Sequence, residues 1–286
     1  MSRASLTVAF LGPAGTYTEE AVRASSGGEV ALEPRSTVYE TVMAVQEGET
    51  DRAVVPIENS LEGGVAATLD ALAGEADSVR ICAEVVHPIR HHLMAGRALE
   101  LNEVERVLSH PQATAQCARF LGERLPRAER IAATSTAEAV RRVCDSGEPW
   151  AALGSRLAAD LYGAHVLVEG VEDRSDNLTR FVWLARAGDV PAAHGEGSKT
   201  SIVFWGFNDE SPGALVSVLR ELSDRRINLT RIESRPRRVR LGHYMFFADL
   251  DGHSEGVVDE ALAALGKRVE TLRVLGSYAV AAPREP

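Results

Sequence analysis

Asn177-Leu178-Thr179-Arg180-Phe181 opens a strand-like run that continues to Leu184. Side chains alternate across a strand with a period of two, so Thr179 and Arg180 project from opposite faces. The stretch stands at the end of a two-lobed α/β pattern and just before a small-residue linker. That placement gives it weight and decides how the chain is divided.

Upstream, one order of elements occurs twice. Leu6 to Gly12 is a short apolar run ending in a Gly-Pro turn, with a helix from near Thr18. Thr37 and Glu40 have capping-box spacing ahead of a helix through Gln46. Arg52 to Ile57 is a buried-strand candidate that breaks at Glu58-Asn59-Ser60, and Gly63-Gly64 turns into the next helix. Roughly a hundred residues later the order returns. Val104 to Leu108 ends at Ser109-His110-Pro111-Gln112, and Ile131 to Thr134 ends at Ser135-Thr136-Ala137-Glu138, again with capping-box spacing. Trp150 to Leu153 ends at Gly154-Ser155 before a helix through Tyr162. This pattern predicts two α/β lobes with mostly parallel sheets.

The runs Ile81 to Met94 and Leu167 to Arg186 join the lobes, expected at 1–81 with 171–186 and at 86–170. Two crossings give a hinged cleft that closes as periplasmic binding proteins close. Ligands of such sheets sit beyond the carboxyl ends of strands, where helix-start N–H groups bind anions. The residues at those ends are small and polar: Thr16, Tyr17, Asn59, Ser60, Ser109, Gln112, Ser135, Thr136 and Ser155.

From Ala187 to Ser198 the chain becomes a small-residue linker, with Gly188, Pro191, Ala192, Ala193, Gly195 and Gly197. Then strand (Thr200 to Phe207), helix (Pro212 to Asp224) and strand (Ile227 to Arg235) lead to strand (Gly242 to Leu250), helix (Ser254 to Gly266) and strand (Thr271 to Val280). That βαββαβ order is the ferredoxin-like sandwich.

Composition excludes several classes. At 286 residues the chain is long enough for two cored domains, and a net charge of −10 argues against nucleic acid or an anionic membrane as partner. Cys82, Cys117 and Cys144 are odd in number and far apart, which argues against a disulfide framework or a zinc site. No stretch reads as a signal peptide or a bilayer span, so the expected location is cytoplasmic. The arginines from Arg225 to Arg240 have no interleaved aromatics and read as a solvated or subunit-contact face. Gly12-Pro13-Ala14-Gly15 is followed by no Gly-Lys-Ser/Thr, which rejects a nucleotide loop.

Thr179-Arg180-Phe181, Pro56-Ile57-Glu58-Asn59-Ser60 and Ser109-His110-Pro111-Gln112 resemble segments of prephenate dehydratases. Gly213-Ala214-Leu215 and Glu233-Ser234-Arg235-Pro236 match the signatures of the ACT domain attached to them. The resemblance covers nearly the whole chain. It implies a bilobed catalytic domain at 1–186, a linker at 187–198 and an ACT regulatory domain at 199–286. It also implies conversion of prephenate to phenylpyruvate, water and CO2, with no cofactor and no metal. Arogenate dehydratase, which uses the aminated substrate with the same motifs, and a non-catalytic sensing protein are the alternatives. The family also occurs fused to chorismate mutase, for which the first strand near Leu6 leaves no room.

Thr179 is the catalytic residue the resemblance implies. Asn59, Ser60, Ser109, Gln116, Ser135 and Thr136 are expected to position the substrate carboxylates. Arg180 either binds a carboxylate bidentately or anchors the cleft through Glu58 or another acid. Phe181 is expected in the core, and His87, His91 and His92 as inter-lobe strand residues. Gly213, Ala214 and Leu215, with Glu233, Ser234, Arg235 and Pro236, are expected to bind L-phenylalanine at an interface of a homodimer or homotetramer.

Overall fold

The computed structural model describes residues 5–190, 197–207 and 211–281. Its first lobe contains β1 (Leu6–Leu11), α1 (Tyr17–Ser25), β2 (Val30–Arg35), α2 (Val38–Gln46), β3 (Arg52–Asn59), β4 (Gly63–Gly64), α3 (Ala66–Ala73) and β5 (Val79–Pro88). The chain crosses to the second lobe at β6 (His92–Ala95). There follow β7 (Arg106–Ser109), α4 (Pro111–Gln116), α5 (Ala118–Arg124) and β8 (Glu129–Ala132). Next come α6 (Thr136–Ser146), β9 (Trp150–Gly154), α7 (Arg156–Tyr162) and β10 (His165–Val168). The return strand β11 (Leu178–Arg186) rejoins the first sheet.

The expected capping chemistry sets the helix starts. The Thr37 hydroxyl accepts from Glu40 N–H at 3.1 Å and the Ser135 hydroxyl from Glu138 N–H at 3.0 Å. Both lobes then repeat one topology. The first sheet has the order β2-β1-β3-β11-β5, the second β8-β7-β9-β6-β10. In each, three strands of the repeat lie parallel, the strand entering from the other lobe pairs antiparallel with the third, and the leaving strand takes the edge. The sheets are therefore mixed rather than mostly parallel.

One boundary moves. The run after Ile81 is not a connector: β5 pairs along its length with β11 as far as Leu178↔Pro88, with Ile81 and Val85 buried. The first sheet thus extends past 81. Residues near Val171 pack in the second lobe's core, so the return crossing also comes later than 171. The two crossings are stitched together by Ile89 N–H to Asn177 O and Val171 N–H to His91 O.

The third unit is β12 (Ser198–Trp205), α8 (Ala214–Ser223), β13 (Leu229–Pro236), β14 (Tyr244–Asp251), α9 (Val257–Gly266) and β15 (Thr271–Ala279). Its antiparallel sheet has the order β13-β14-β12-β15, with both helices on one face. The other face is docked on the first lobe, where Val203, Phe247, Leu275 and Tyr278 share one core with Ile81, Val182 and Leu184. β15 approaches so closely that a side chain at Gly276 would strike the Ile81 carbonyl. Residues 191–196 of the expected linker lie outside the described residues.

Candidate active site

β3 and β11 lie side by side with Thr179 opposite Asn59 and Arg180 opposite Glu58. Just past β3 the chain turns, and the Leu61 and Glu62 N–H groups donate to Asn59 Oδ1 at 2.9 and 3.1 Å. Those two backbone donors fix which end of the amide is oxygen. Asn59 Nδ2 must then be the donor at 2.8 Å to Asn177 Oδ1 and at 2.8 Å to Thr179 Oγ1. Thr179 Oγ1 is an acceptor in that contact, so its own proton is free for whatever occupies the cleft.

The chain of bonds continues. Asn177 Nδ2 donates to Gln116 Oε1 at 3.0 Å, and His91 Nε2 stands 3.0 Å from the same oxygen. With Oε1 as acceptor, His91 carries its proton on Nε2. The Tyr17 hydroxyl lies 2.7 Å from His91 Nδ1 and 2.8 Å from Arg90 O, with one proton for the two. Burial holds the His91 imidazole below the ordinary histidine range, against the raising influence of Gln116 and Glu172. Burial also raises the Tyr17 phenol, helped by Glu20. His91 is therefore neutral near pH 7, and the Tyr17 hydroxyl donates its hydrogen bond to the unprotonated Nδ1. Glu172 sets the ring's backbone by accepting from His91 N–H at 2.9 Å.

These groups line a cavity of about 320 Å³ between the lobes. The N-caps of α1, α4 and α6, Thr16, His110 and Ser135, face it, so three helix starts converge there. No Asp, Glu, Lys or Arg is among the described residues that line it.

Of the expected substrate residues, Asn59, Gln116, Ser135 and Thr136 line this cavity with Thr179. Ser60, Ser109 and Arg180 do not. Ser109 is fully buried and spends its proton on Leu153 O at 3.2 Å. Ser60 splices the strand start, accepting from Leu178 N–H at 3.0 Å. Of the two readings of Arg180, carboxylate binding is corrected and the anchor through Glu58 and other acids holds, with a plain cause: the alternation that aims Thr179 into the cleft aims Arg180 out of its back. There it meets Glu58 at 3.0 Å, Glu84 at 3.1 Å and Asp249 of the third unit at 2.7 Å. Phe181 packs in the core and also edges the cavity. His91 was missed as a cleft residue, because nothing in Ile89-Arg90-His91-His92 distinguishes one histidine from its neighbour. Its signal is positional: it follows the end of β5 at the hinge.

In the third unit, Gly213, Ala214 and Leu215 line a separate cavity of about 300 Å³ with Phe207, Tyr244 and Phe246. Gly213 caps α8 with φ at 81°, a left-handed conformation that favours glycine, and the helix starts at Ala214 rather than Pro212. Glu233, Ser234, Arg235 and Pro236 lie on edge strand β13, outside that cavity. Arg235 instead holds Asp70 of α3 through two bonds of 2.7 and 2.9 Å.

Two hinged α/β lobes around an uncharged, donor-lined cleft, with a ferredoxin-like unit docked on one lobe, define a small-molecule enzyme of the periplasmic-binding-protein-like class with an appended regulatory fold. The family model for prephenate dehydratase matches residues 8–189, and that for the ACT domain matches residues 201–267. The chain belongs to the prephenate dehydratase family. A prephenate dehydratase of Amycolatopsis methanolica is 39% identical over 98% of this chain and 91% of its own. The crystal structure of prephenate dehydratase in complex with L-Phe from Arthrobacter aurescens superposes with a TM-score of 0.87 at 40% identity, covering 96% of this chain and 90% of that one. A structure described as GqqA, a quorum quenching acylase, has a TM-score of 0.84 at 32% identity, covering 97% and 98%. The activity is that of a carbon–oxygen lyase, the dehydrative decarboxylation of prephenate.

Proposed function

We propose that Thr179 is the catalytic group of this reaction, placed as a hydrogen-bond donor to the departing hydroxyl. The observation that carries the reading is the fixed Asn59 amide, which occupies the Thr179 oxygen as acceptor and leaves its proton available to a substrate. Prephenate is a cyclohexadiene bearing a carboxylate and a pyruvyl group at one carbon and a hydroxyl para to them. The C–O bond breaks with its electron pair leaving on oxygen. The bond to the carboxylate carbon breaks too, and that pair passes into the ring as CO2 departs. The ring becomes aromatic, so the drive is intrinsic, and solvent protons take the hydroxide to water. An aliphatic hydroxyl is too weak an acid to surrender its proton. As a donor whose bond strengthens while charge develops on the leaving oxygen, it lowers the barrier.

Gln116, Ser135 and Thr136 position the carboxylates, with the starts of α1 and α6 supplying positive potential, while Asn59, whose two amide protons are committed to Asn177 and Thr179, acts on the substrate through the Thr179 hydroxyl. The uncharged lining favours prephenate over arogenate: the ammonium of arogenate would lie among donors with no carboxylate to pair with. L-Phenylalanine acts on the ACT unit. Within one chain the Gly213 cavity and the Glu233-Ser234-Arg235-Pro236 strand are separate, which supports a site completed by a second copy, and hence a homodimer or homotetramer. The working units are a catalytic domain at 1–186, a linker at 187–198 and the ACT domain at 199–286, in the cytoplasm. Among the described residues no helix is long and apolar enough to cross a membrane.

The test is incubation of purified protein with prephenate, arogenate and an acyl amide, with and without phenylalanine. Phenylpyruvate from prephenate, little phenylalanine from arogenate, no amide hydrolysis and inhibition by phenylalanine are expected. Turnover of arogenate at the prephenate rate would overturn the reading of the lining.

A further inference from the structure

Arg180 is adjacent to the catalytic threonine, yet the shortest of its three carboxylate contacts is to another domain. Its side chain is 9% exposed and faces Glu84 and Asp249 at 2% and 4%. Nη2 donates to Asp249 Oδ2 at 2.7 Å, Nε to Glu58 Oε2 at 3.0 Å and Nη1 to Glu84 Oε2 at 3.1 Å. Asp249 is held in turn: Ser201 Oγ donates to its Oδ1 at 2.6 Å, and the Tyr278 hydroxyl lies 2.7 Å from Ser201 Oγ. Lys199 joins at Glu84, 2.9 Å away. Each nitrogen of the planar guanidinium thus donates to a carboxylate, and the group sits between the first sheet and the ACT sheet. Charges this deep are held by geometry, because a buried ion freed from its partner has no water to replace it.

The cross-strand pairing makes this more than an interface contact. Asn59 and Thr179 face each other on β3 and β11, and the next pair along the same strands is Glu58 and Arg180. One pair aims the reactive hydroxyl into the cleft. The other grips the regulatory domain from the back of the same strands, and a register irregularity in β11 falls directly after Arg180.

We propose that Arg180 is a positioning residue that ties Thr179 to the ACT domain, so that the Asp249 carboxylate, in a different domain, helps set where the Thr179 hydroxyl points. A shift of the ACT sheet pulls on Arg180, and its neighbour moves with it. The effector half of this inference rests on the phenylalanine reading above; the basal half does not.

The test compares Asp249→Asn with Asp70→Asn in the full chain. Asp249→Asn keeps the shape and the Oδ1 that accepts from Ser201, but loses the charge and sets an amide against the guanidinium. Asp70→Asn weakens another inter-domain contact, Arg235 and Arg238 with Asp70, which does not involve β11. Expected for Asp249→Asn is a kcat about tenfold lower with KM within about twofold, while Asp70→Asn keeps kcat within about twofold. Asp249→Glu should recover much of the loss. In Asp249→Asn, inhibition by phenylalanine should weaken at least about fivefold although phenylalanine still binds by calorimetry. Rates are taken per folded enzyme, with Tm recorded. Should Asp249→Asn not fold, Ser201→Ala, which frees one oxygen of Asp249, should lower kcat in the same direction. Wild-type kcat and wild-type inhibition in Asp249→Asn, or equal kcat losses in both Asn variants, would overturn the tie. A wild-type enzyme that ignores phenylalanine would remove only the effector reading, and the kcat contrast would still decide.

Discussion

The two lobes share one strand order and divide the work unequally. In the first, the third strand ends and the return strand begins side by side at Asn59 and Thr179, where a fixed amide leaves a hydroxyl proton free. In the second, the third strand ends at Gly154 and Ser155, and Ser155 donates to Gly15 O at 2.8 Å, pinning lobe to lobe. The repeat supplies the scaffold, and the fate of each hydroxyl proton decides what the hydroxyl can do. Ser109, Ser155 and Thr16 donate to carbonyls and have none left for a ligand. Thr179 and Ser135 accept, one from a side-chain amide and one from a helix N–H, and keep theirs. The ACT unit, too, packs its core on the first lobe. Changes in the first lobe should therefore act on kcat and changes in the second on KM.

The largest effect should come from Thr179→Ala. One donor to a developing charge is worth roughly 3–4 kcal/mol, or two to three orders of magnitude in kcat, with substrate binding retained. Thr179→Ser should recover part. Unchanged turnover in the alanine variant would leave the hydroxyl a structural group and dissolve the contrast between lobes. Asn59→Asp is nearly as severe by the same argument. A carboxylate oxygen in place of Nδ2 accepts rather than donates, turns the Thr179 proton inward, and costs about a hundredfold in kcat with little change in size.

Much of this was legible in the sequence. Capping-box spacing at Thr37 and Ser135, the strand end at Asn59, the strand start at Thr179, and the βαββαβ order at the end are local signals, and each gave its element. Residues near a strand's carboxyl end could be named as cleft residues, but the direction of a hydroxyl proton depends on a partner far along the chain. Ser109 is committed to Leu153 and Thr179 to Asn59, across 44 and 120 positions. Arg180 shows the limit most plainly. Alternation already put it opposite Thr179, yet that its partner would be Asp249 depended on how two domains dock. His91 depended on the hinge, where residues from both lobes meet.

A smaller effect is expected at Ser135, the second-lobe counterpart. Ser135→Ala removes a carboxylate donor and a helix cap together. KM for prephenate should rise about three- to tenfold with kcat within about twofold. Stability should fall by about 1 kcal/mol, read as a shift in the denaturant midpoint. A kcat loss as large as that of Thr179→Ala would mean that the lobes do not divide binding from chemistry.

The smallest effect concerns pH and the hinge that joins the lobes. His91 has a folded pKa below its unfolded value of about 6.5, because burial disfavours the imidazolium. Below about pH 6.5 the unfolded chain binds a proton that the folded chain resists, so the stability His91 contributes is fully present above that pH and declines as pH falls toward its folded pKa. Function follows the same proton. In the neutral ring Nδ1 accepts from Tyr17. Once protonated, Nδ1 becomes a donor and the Tyr17 proton must turn to Arg90 O, 2.8 Å away. Tyr17 lines the cleft, so an acid limb in kcat/KM should lie below about pH 6.5 rather than at it. His91→Asn should remove that limb while costing less than about tenfold at pH 7.5, since the ring touches Gln116 and Tyr17 rather than Thr179. Profiles of wild type and variant from pH 5 to 8, at constant ionic strength and on the folded fraction, check this. An acid limb that persists unchanged in His91→Asn would assign it to another group and leave the hinge histidine a structural strut.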